Sequence, residues 1–152
     1  MAVGVIGTIL TSVDGDSWSV QNSGSNKDLY GSTYSNNKFI IVGSDGGILT
    51  STNSTTWTNG NSGTSSYLYD ITYGNNTFII VGHSGTILTS TDGDQWTNVN
   101  SNTSSTLRSV IYENNMFVAV GNNGTIITSS DGNSWVLRNS GTSIDLYNVN
   151  IY

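Results

Sequence analysis

Apolar and polar residues alternate in short runs along the whole chain, and turn residues separate the runs. Between residues 68 and 106 the runs are 68–73, 78–82, 86–90 and one that begins at Trp96. Alternation with a period of two, in short runs rich in Ile, Val, Thr, Tyr and Phe, is typical of β-strands. Asn-Asn, Gly and Asp-Gly in the turns reach positive φ at little cost. No run has a helical period, so the sequence predicts an all-β fold.

The pattern repeats every 39 residues. The step is marked by a tryptophan, a Val-Gly pair and a leucine, at Trp18, Trp57, Trp96 and Trp135, at Val3-Gly4, Val42-Gly43, Val81-Gly82 and Val120-Gly121, and at Leu29, Leu68, Leu107 and Leu146. A fixed period of this length with four up-and-down strands predicts the blade of a β-propeller. The alternatives are less suitable, because a β-sandwich predicts no strict repeat and a β-solenoid coil is usually shorter.

We expect one domain over residues 1–152, with repeats at about 29–67, 68–106 and 107–145 and a fourth assembled from 1–28 and 146–152. The chain begins within a second strand, Met1–Gly4, and ends with a first strand, Leu146–Tyr152. The last strand therefore supplies the one missing from the N-terminal blade, and a ring closed in this way has no unpaired inner edge. Tyr152 lies one residue later than the repeat predicts, which indicates a bulge in the last strand.

The closed ring is expected to be larger than one chain supplies. Bulky residues lie near the axis on the inner strands and would crowd a four-blade ring, namely Leu29, Leu68, Leu107, Leu146, Tyr34, Tyr73 and Tyr112. The sequence favours a homodimer in which the last strand of each chain completes the first blade of the other, giving eight blades. A lone four-blade ring, a larger ring and a fragment of a longer chain remain as alternatives.

Composition excludes two classes of partner. Only 9% of the residues are charged, the net charge is −6, and the basic residues are Lys27, Lys38, Arg108 and Arg138. Nucleic acids and anionic membrane surfaces both require a basic stripe that four such residues do not form. The chain has no Cys, so it has no disulfide and no thiolate metal site. Its Asn-, Ser- and Thr-rich composition leaves the compartment open, with a slight lean towards the outside of the cell or the cell surface.

The loop before each tryptophan follows one pattern: Ser12-Val-Asp-Gly-Asp-Ser-Trp18, Ser90-Thr-Asp-Gly-Asp-Gln-Trp96 and Ser129-Ser-Asp-Gly-Asn-Ser-Trp135, with Ser51-Thr-Asn-Ser-Thr-Thr-Trp57 as a degenerate copy. The pattern resembles the Asp-box, or bacterial neuraminidase repeat, of sialidases, sortilin-type receptors and photosystem II assembly factors. It is one residue shorter than the usual Ser-x-Asp-x-Gly-x-Thr-Trp. The resemblance covers all four repeats and implies a hairpin between the third and fourth strands of each blade, with a structural role away from any active site.

An aspartate in such a hairpin accepts bonds from the next two backbone N–H groups, and the tryptophan covers the turn. We assign this structural role to Ser12, Asp14, Trp18, Ser51, Asn53, Trp57, Ser90, Asp92, Trp96, Ser129, Asp131 and Trp135. The alternative is a calcium site built from Asp14 with Asp16, Asp92 with Asp94, and Asp131. Two carboxylates per loop are few for the six to eight oxygen ligands of calcium. We therefore expect no metal and no cofactor.

No catalytic constellation is evident, so we expect no enzyme. A sialidase-like site would require an arginine cluster and a Tyr–Glu pair, whereas the chain has two arginines and one glutamate, Glu113. Paired carboxylates for glycoside hydrolysis are lacking because most acids belong to the hairpins. A Ser–His–Asp site would have to use His83, the only histidine, which lies in a turn where a solvated side chain is the usual outcome.

Binding remains as a function. In a propeller the turns between second and third strands emerge with the inter-blade loops on one face, and these segments differ most between the repeats. The candidate ligand-binding residues there are Tyr30, Tyr69, Arg108 and Tyr147, which open the inner strands, and the turn residues Asp45, His83 and Asn122. Aromatic rings beside small polar groups suit sugars or extended peptides. The alternative is that the tyrosines pack between blades.

Two functions follow from these observations. The first is a non-catalytic scaffold or interaction module that assembles with itself through blade sharing and binds a protein surface. The second is a lectin-like propeller that binds a glycan. Repeated sugar sites should repeat their polar ligands, and the turns of the variable face differ, so the sequence favours the first.

Overall fold

The computed structural model describes residues 1–150. Within them the strands are β1 (Ala2–Val3), β2 (Ile9–Thr11), β3 (Ser19–Gln21), β4 (Leu29–Ser35), β5 (Lys38–Gly43), β6 (Ile48–Ser51), β7 (Thr58–Asn59), β8 (Leu68–Gly74), β9 (Thr77–Gly82), β10 (Ile87–Ser90), β11 (Thr97–Asn98), β12 (Leu107–Glu113), β13 (Met116–Gly121), β14 (Ile126–Ser129) and β15 (Val136–Arg138). Single turns of 3-10 helix occur at Ser44–Gly46, His83–Gly85 and Asn122–Gly124. In this part of the chain no helix has the length and apolar character needed to cross a membrane.

The strands form four antiparallel up-and-down sheets in chain order. Sheet I contains β1–β3, sheet II β4–β7, sheet III β8–β11 and sheet IV β12–β15. The registers repeat with the sequence, so that Ile41 pairs with Leu49 in sheet II and Ile80 with Leu88 in sheet III. The predicted all-β propeller with short four-stranded blades is therefore confirmed for sheets II–IV, while sheet I has three strands.

The first strand of each four-stranded sheet carries a bulge near its start. The register shifts between Leu29 and Gly31 in β4, and at the equivalent places in β8 and β12. The two innermost strands approach closely here, because a Cβ atom on Gly31 would lie 2.8 Å from the Asp70 Cα. The residue inside each bulge is turned away from the ladder. The bulge predicted from Tyr152 lies outside the described residues.

Apolar side chains fill the space between successive sheets. Ile9 of sheet I packs with Leu29, Ile41 and Leu49 of sheet II, and similar clusters join sheets II and III and sheets III and IV. The tryptophan of each hairpin belongs to the cluster between its own sheet and the preceding sheet: Trp57, Trp96 and Trp135. The sheets therefore share their cores, as expected for a repeat protein.

The four sheets form an open arc. Strands β4, β8 and β12 pack side by side, and β1 lies against β4. Among residues 1–150 no strand of sheet IV packs on sheet I to a comparable extent. The face of sheet I that corresponds to the covered faces of the later sheets is consequently open, and Trp18 is 47% exposed there whereas Trp135 is 3% exposed.

The C-terminal segment begins as an inner strand begins but does not become one. The Leu146 N–H donates to the Gly121 carbonyl at 3.0 Å, as Leu29 does to Gly4. However, residues 146–150 form no strand within a single chain, so the strand over Leu146–Tyr152 that would complete a first blade stays a prediction. The physical reason is that each inner strand pairs with the second strand of its own sheet, and no such strand lies beside residues 146–150 in one chain.

Candidate functional site

The bulges place Tyr30, Tyr69 and Arg108 in one row, and Tyr147 of the C-terminal segment continues it. These four candidate residues are here named the mouth row. The Tyr30 and Tyr69 ring centroids are 5.5 Å apart. The Arg108 guanidinium carbon lies 4.8 Å from the Tyr69 centroid and 5.8 Å from that of Tyr147. The structure therefore joins residues from four successive repeats into one continuous stack.

Arg108 is held in this stack from the side as well as from its faces. Its Nε donates to the Asn122 Oδ1 at 3.0 Å, so Asn122, another candidate residue, fixes the plane of the guanidinium. Attraction between the cation and the two rings adds to this bond. Arg108 is thus oriented before any partner arrives, and a partner would lose little entropy in ordering it.

The tyrosines at the two ends of the mouth row are open to solvent. Tyr30 is 41% exposed and Tyr147 is 68% exposed. Partial desolvation, followed by the negative charge of Asp28, raises the pKa of Tyr30. The row is therefore aromatic, with one fixed cation, and the Tyr30 phenol stays neutral at physiological pH.

The remaining two candidates, Asp45 and His83, lie together beside the row. They line a cleft of about 280 Å³ with Ser65, Ser66 and Tyr67. The Ser84 hydroxyl lies 2.8 Å from the His83 Nδ1. Tyr67, which we did not single out from the sequence, connects this cleft to the mouth row, because its ring centroid is 6.5 Å from that of Tyr69. Its signal was an aromatic residue in a loop where the other repeats carry small or polar residues.

The opposite face carries the four Asp hairpins, defined as residues 12–18, 51–57, 90–96 and 129–135. In the third hairpin the Asp92 Oδ1 accepts bonds from the Asp94 and Gln95 N–H groups at 2.8 and 2.9 Å. The Ser90 hydroxyl donates to the same oxygen and accepts from the Gly93 N–H. Asn53 accepts the equivalent bonds at 3.0 and 2.9 Å in the degenerate copy.

These bonds change the acidity of the hairpin carboxylates. Backbone N–H donors stabilise the ionised form and lower the pKa of Asp92 and of Asp131 to about 2. The pKa of Asp14 is lowered for the same reason. A carboxylate oxygen that already accepts three hydrogen bonds is a poor metal ligand, and residues 1–150 contain no group of three or more His, Cys, Asp or Glu placed to hold a metal ion.

The hairpin tryptophans differ in their polar contacts. The Trp18 and Trp135 indole N–H groups donate to the Gly15 and Gly132 carbonyls, both at 3.0 Å. The Nε1 atoms of Trp57 and Trp96 are buried without a partner among the described residues. The third and fourth hairpins therefore share one backbone form but not every bond.

Comparison with known proteins supports the fold. No protein-family profile matches the sequence, and no curated protein matches it. A structure of YCF48 bound to D1 peptide is similar over 96% of this chain and 51% of that chain, with 22% identity and a TM-score of 0.73. YCF48 from Cyanidioschyzon merolae is similar over 72% and 36% of the two chains, with 19% identity and a TM-score of 0.61.

A third structure, a Parabacteroides distasonis protein provisionally named a glycoside hydrolase, has 11% identity over 96% and 59% of the two chains and a TM-score of 0.49. That score is too low to carry an argument. The chain spans about half or less of the length of the YCF48 structures that it matches. The similarity establishes a β-propeller fold like that of YCF48 and does not assign a family.

Proposed function

We propose that the chain is a non-catalytic interaction module that closes a propeller ring with a second copy by sharing a blade. One observation carries this proposal. Sheet I lacks the inner strand that sheets II–IV possess, and residues 146–150 lie in the position of an inner strand without a sheet. Each end of the arc therefore contains what the other lacks.

The internal repeat specifies how the two ends would pair. Val110 pairs with Ala119 in sheet IV, and Ser32 pairs with Ile41 in sheet II. One repeat of 39 residues after Val110 lies Val149, and three repeats before Ala119 lies Ala2. The same pairing therefore sets Val149 of one copy opposite Ala2 of the other. The pairing would give β1 a partner along the edge that is free in one chain, which removes an aggregation-prone edge.

The two surfaces that would meet are apolar. The open face of sheet I carries Leu10, Trp18 and Val20, of which Trp18 and Val20 are exposed. Their counterparts in sheet II include the buried Leu49. In sheet IV the corresponding face is formed by Val118 and Val120, which are already buried in one chain. By the repeat, Leu146 and Val149 hold the positions of Leu68 and Ile71, which pack on sheet II. Covering Trp18 alone would contribute a sizeable hydrophobic stabilisation.

The match to YCF48 supports two chains over one. The four sheets cover about half of that longer chain, so a ring of similar size would take roughly twice as many sheets as one chain has. Two identical head-to-tail junctions close under a two-fold axis. At each junction Tyr147 would lie beside Tyr30 of the other copy, so the mouth row would become continuous around the axis.

The mouth row is the surface that we assign to partner recognition. It combines exposed aromatic rings with an oriented guanidinium, groups that are frequent at the centres of protein interfaces. YCF48 has been seen with a bound peptide, which supports a peptide or protein surface as the partner class here. The other candidates, Asp45 and His83, belong to the adjacent cleft and would contact the flanks of such a partner.

Cysteine cross-linking tests blade sharing directly, because the chain has no cysteine of its own. We expect Ala2→Cys and Val149→Cys variants, mixed and oxidised, to give a covalent dimer. Opposed residues of an antiparallel pair are about 4.5–5.5 Å apart, which is within disulfide range. The control mixes Val149→Cys with Val13→Cys, because Val13 is fully exposed in a hairpin on the other face. The same two substitutions are also made together in one chain. If a disulfide forms only in that double variant, and within a monomer, the ring is instead closed by one chain with four blades.

A further inference from the structure

Two clefts open on the hairpin face, and they are equivalent under the 39-residue repeat. The larger, cleft A, has a volume of about 460 Å³ and lies between sheet II and the hairpin of sheet III; it is lined by Lys38, Thr50, Ser51, Thr52, Asn53, Thr56, Thr58 and Asp94. The smaller, cleft B, has a volume of about 280 Å³ and lies between sheet III and the hairpin of sheet IV; its lining is Thr77, Thr89, Ser90, Thr91, Asp92, Gln95, Thr97 and Asn133. Each lining residue of one cleft corresponds by position to one of the other.

Each cleft contains a threonine hydroxyl that the protein does not use. Thr89 is 8% exposed, and its hydroxyl makes no hydrogen bond within residues 1–150 although it borders cleft B. Thr50 occupies the same position in cleft A and likewise has no bond there. A hydroxyl that borders a cleft and has no internal partner is open to a hydrogen bond from water or from a ligand.

The first and last sheets show how the same hydroxyl can be occupied from within. The Gln21 Nε2 donates to the Thr11 Oγ1 at 2.8 Å in sheet I, and the Arg138 Nε donates to the Thr128 Oγ1 at 2.8 Å in sheet IV. In the two middle sheets the residues at the position of Gln21 and Arg138 are Gly60 and Val99, which have no donor. Clefts A and B therefore lie at the two sheets in which no side chain donates a hydrogen bond to this threonine.

The chemistry of the lining indicates a neutral ligand. Hydroxyl and carboxamide groups dominate both clefts, and each can donate and accept. In cleft A the charges of Lys38 and Asp94 cancel in an ion pair of 2.7 Å. In cleft B one carboxylate oxygen of Asp92 is already engaged by backbone N–H groups. Cleft A therefore has no net charge, and the ionised Asp92 carboxylate of cleft B disfavours an acidic ligand.

We infer that clefts A and B are repeated binding sites for neutral saccharides, held by hydrogen bonds to Thr50 in one cleft and Thr89 in the other. Sugars present the dense donors and acceptors that such a lining can satisfy. The linings contain no aromatic platform, so each site binds weakly, and a ligand that spans two clefts gains from multivalency. This inference concerns the face opposite the mouth row and is independent of ring closure.

Amide chemical shifts, measured while sugars are added at millimolar concentration, test the inference. The probes are maltotriose, cellotriose and diacetylchitobiose, with the acidic sugar sialyllactose as a comparison. We expect at least one neutral probe to shift the amides around Thr50 and Thr89. The double variant Thr50→Val and Thr89→Val should weaken that binding about tenfold or more, the effect of losing a net hydrogen bond at each site.

Two further variants isolate the hydroxyl from the fold. Thr128→Val removes the equivalent hydroxyl where Arg138 already occupies it, so binding should be unchanged. Val99→Gln supplies the donor that sheet I uses, so cleft B should lose the probe while cleft A keeps it. The inference is overturned if no neutral probe shifts these amides, if sialyllactose alone binds, or if binding survives the double valine variant. None of these variants should alter the mass of the assembly, so a failure here leaves blade sharing untouched.

Discussion

Trp18 and Trp135 hold the same position in the 39-residue repeat, in hairpins whose hydrogen bonds match. The indole of each donates to a glycine carbonyl at 3.0 Å. Nevertheless Trp18 is 47% exposed at the open end of the arc, whereas Trp135 is 3% exposed between sheets III and IV. Local hairpin structure therefore does not decide whether the tryptophan of a hairpin is buried. Burial depends on whether a preceding sheet is present.

The same comparison holds for the two ends as wholes. Sheet I has an uncovered apolar face and a free inner edge, whereas sheet IV has its hairpin buried against sheet III and an unpaired segment beyond it. Every contact that one end is missing has a counterpart in the interior of the arc.

Removing residues 146–152 should have the largest effect. The truncation would leave the inner edge of β1 unpaired in every copy and uncover Val118 and Val120 on sheet IV. Exposed apolar strands with free edges aggregate. We expect the truncated chain to lose its defined mass and to form large species in light scattering. If the truncated chain stays soluble with an unchanged mass and melting temperature, the two ends do not complement each other.

Trp135→Ala and Trp18→Ala should separate folding from assembly. Trp135→Ala should lower the free energy of unfolding by roughly 3–5 kcal/mol, as truncation of a buried aromatic does. Trp18→Ala should lower the folding stability of one chain much less, because Trp18 is exposed there, but should weaken the association of copies. Chemical denaturation and sedimentation at several concentrations measure the two effects. Equal losses of folding stability from both variants would show that Trp18 is already covered within one chain.

Acid should weaken three of the hairpins and leave one unaffected. The pKa values of Asp92 and Asp131 are about 2, below the ordinary value of 3.8 for an aspartate. Their stabilising effect is therefore complete above about pH 4 and disappears as the pH falls towards 2. The second hairpin uses Asn53 and has no such titration.

The variant Asp92→Asn with Asp131→Asn keeps an acceptor oxygen in both hairpins, and its melting temperature should fall less steeply than that of the wild type between pH 4 and 2. Asp92→Ala, which removes the acceptor, should lower the melting temperature at neutral pH, by analogy with a lost helix cap. Parallel slopes for the wild type and the asparagine variant would mean that the hairpin carboxylates do not govern the acid response.

The smallest effect concerns a strained residue at the open end. Ile6 has φ of 53°, in the left-handed region, where the equivalent turns of sheets II–IV carry Asp45, Ser84 and Asn123. A β-branched residue is unfavourable there, whereas Asn is tolerated. Ile6→Asn should raise the free energy of unfolding by about 1 kcal/mol. The matched change, Asn123→Ile, should lower it by a similar amount, and a neutral result in both would remove the strain argument.

Much of the fold could be predicted from the sequence because it depends on local patterns. The period of Trp and Val-Gly fixed the blades, and Ser and Asp before each Trp located the hairpins. The strand expected at Leu146 does not form within one chain, because a strand exists only beside a partner, and the sequence pattern does not reveal where that partner lies. Position in the repeat also gave no measure of the exposure of Trp18.

The candidate sites were predicted unevenly for a similar reason. Tyr30, Tyr69 and Arg108 were assigned to one face from their positions, but their stacking depends on bulges that the alternation does not reveal. The clefts of the hairpin face were missed altogether. In the sequence they are indicated only by Gly60 and Val99, which stand where the first repeat has Gln21. This difference could not be interpreted until the structure placed Gln21 beside the threonine of the neighbouring strand.

The mass of the intact chain in solution tests the central claim, that two copies close one ring, most directly. Light scattering coupled to size-exclusion chromatography should give twice the chain mass of 16.1 kDa, constant over a wide range of protein concentration. A single species at 16.1 kDa, with Trp18 protected from solvent quenchers, would contradict the claim and indicate a ring closed by one chain.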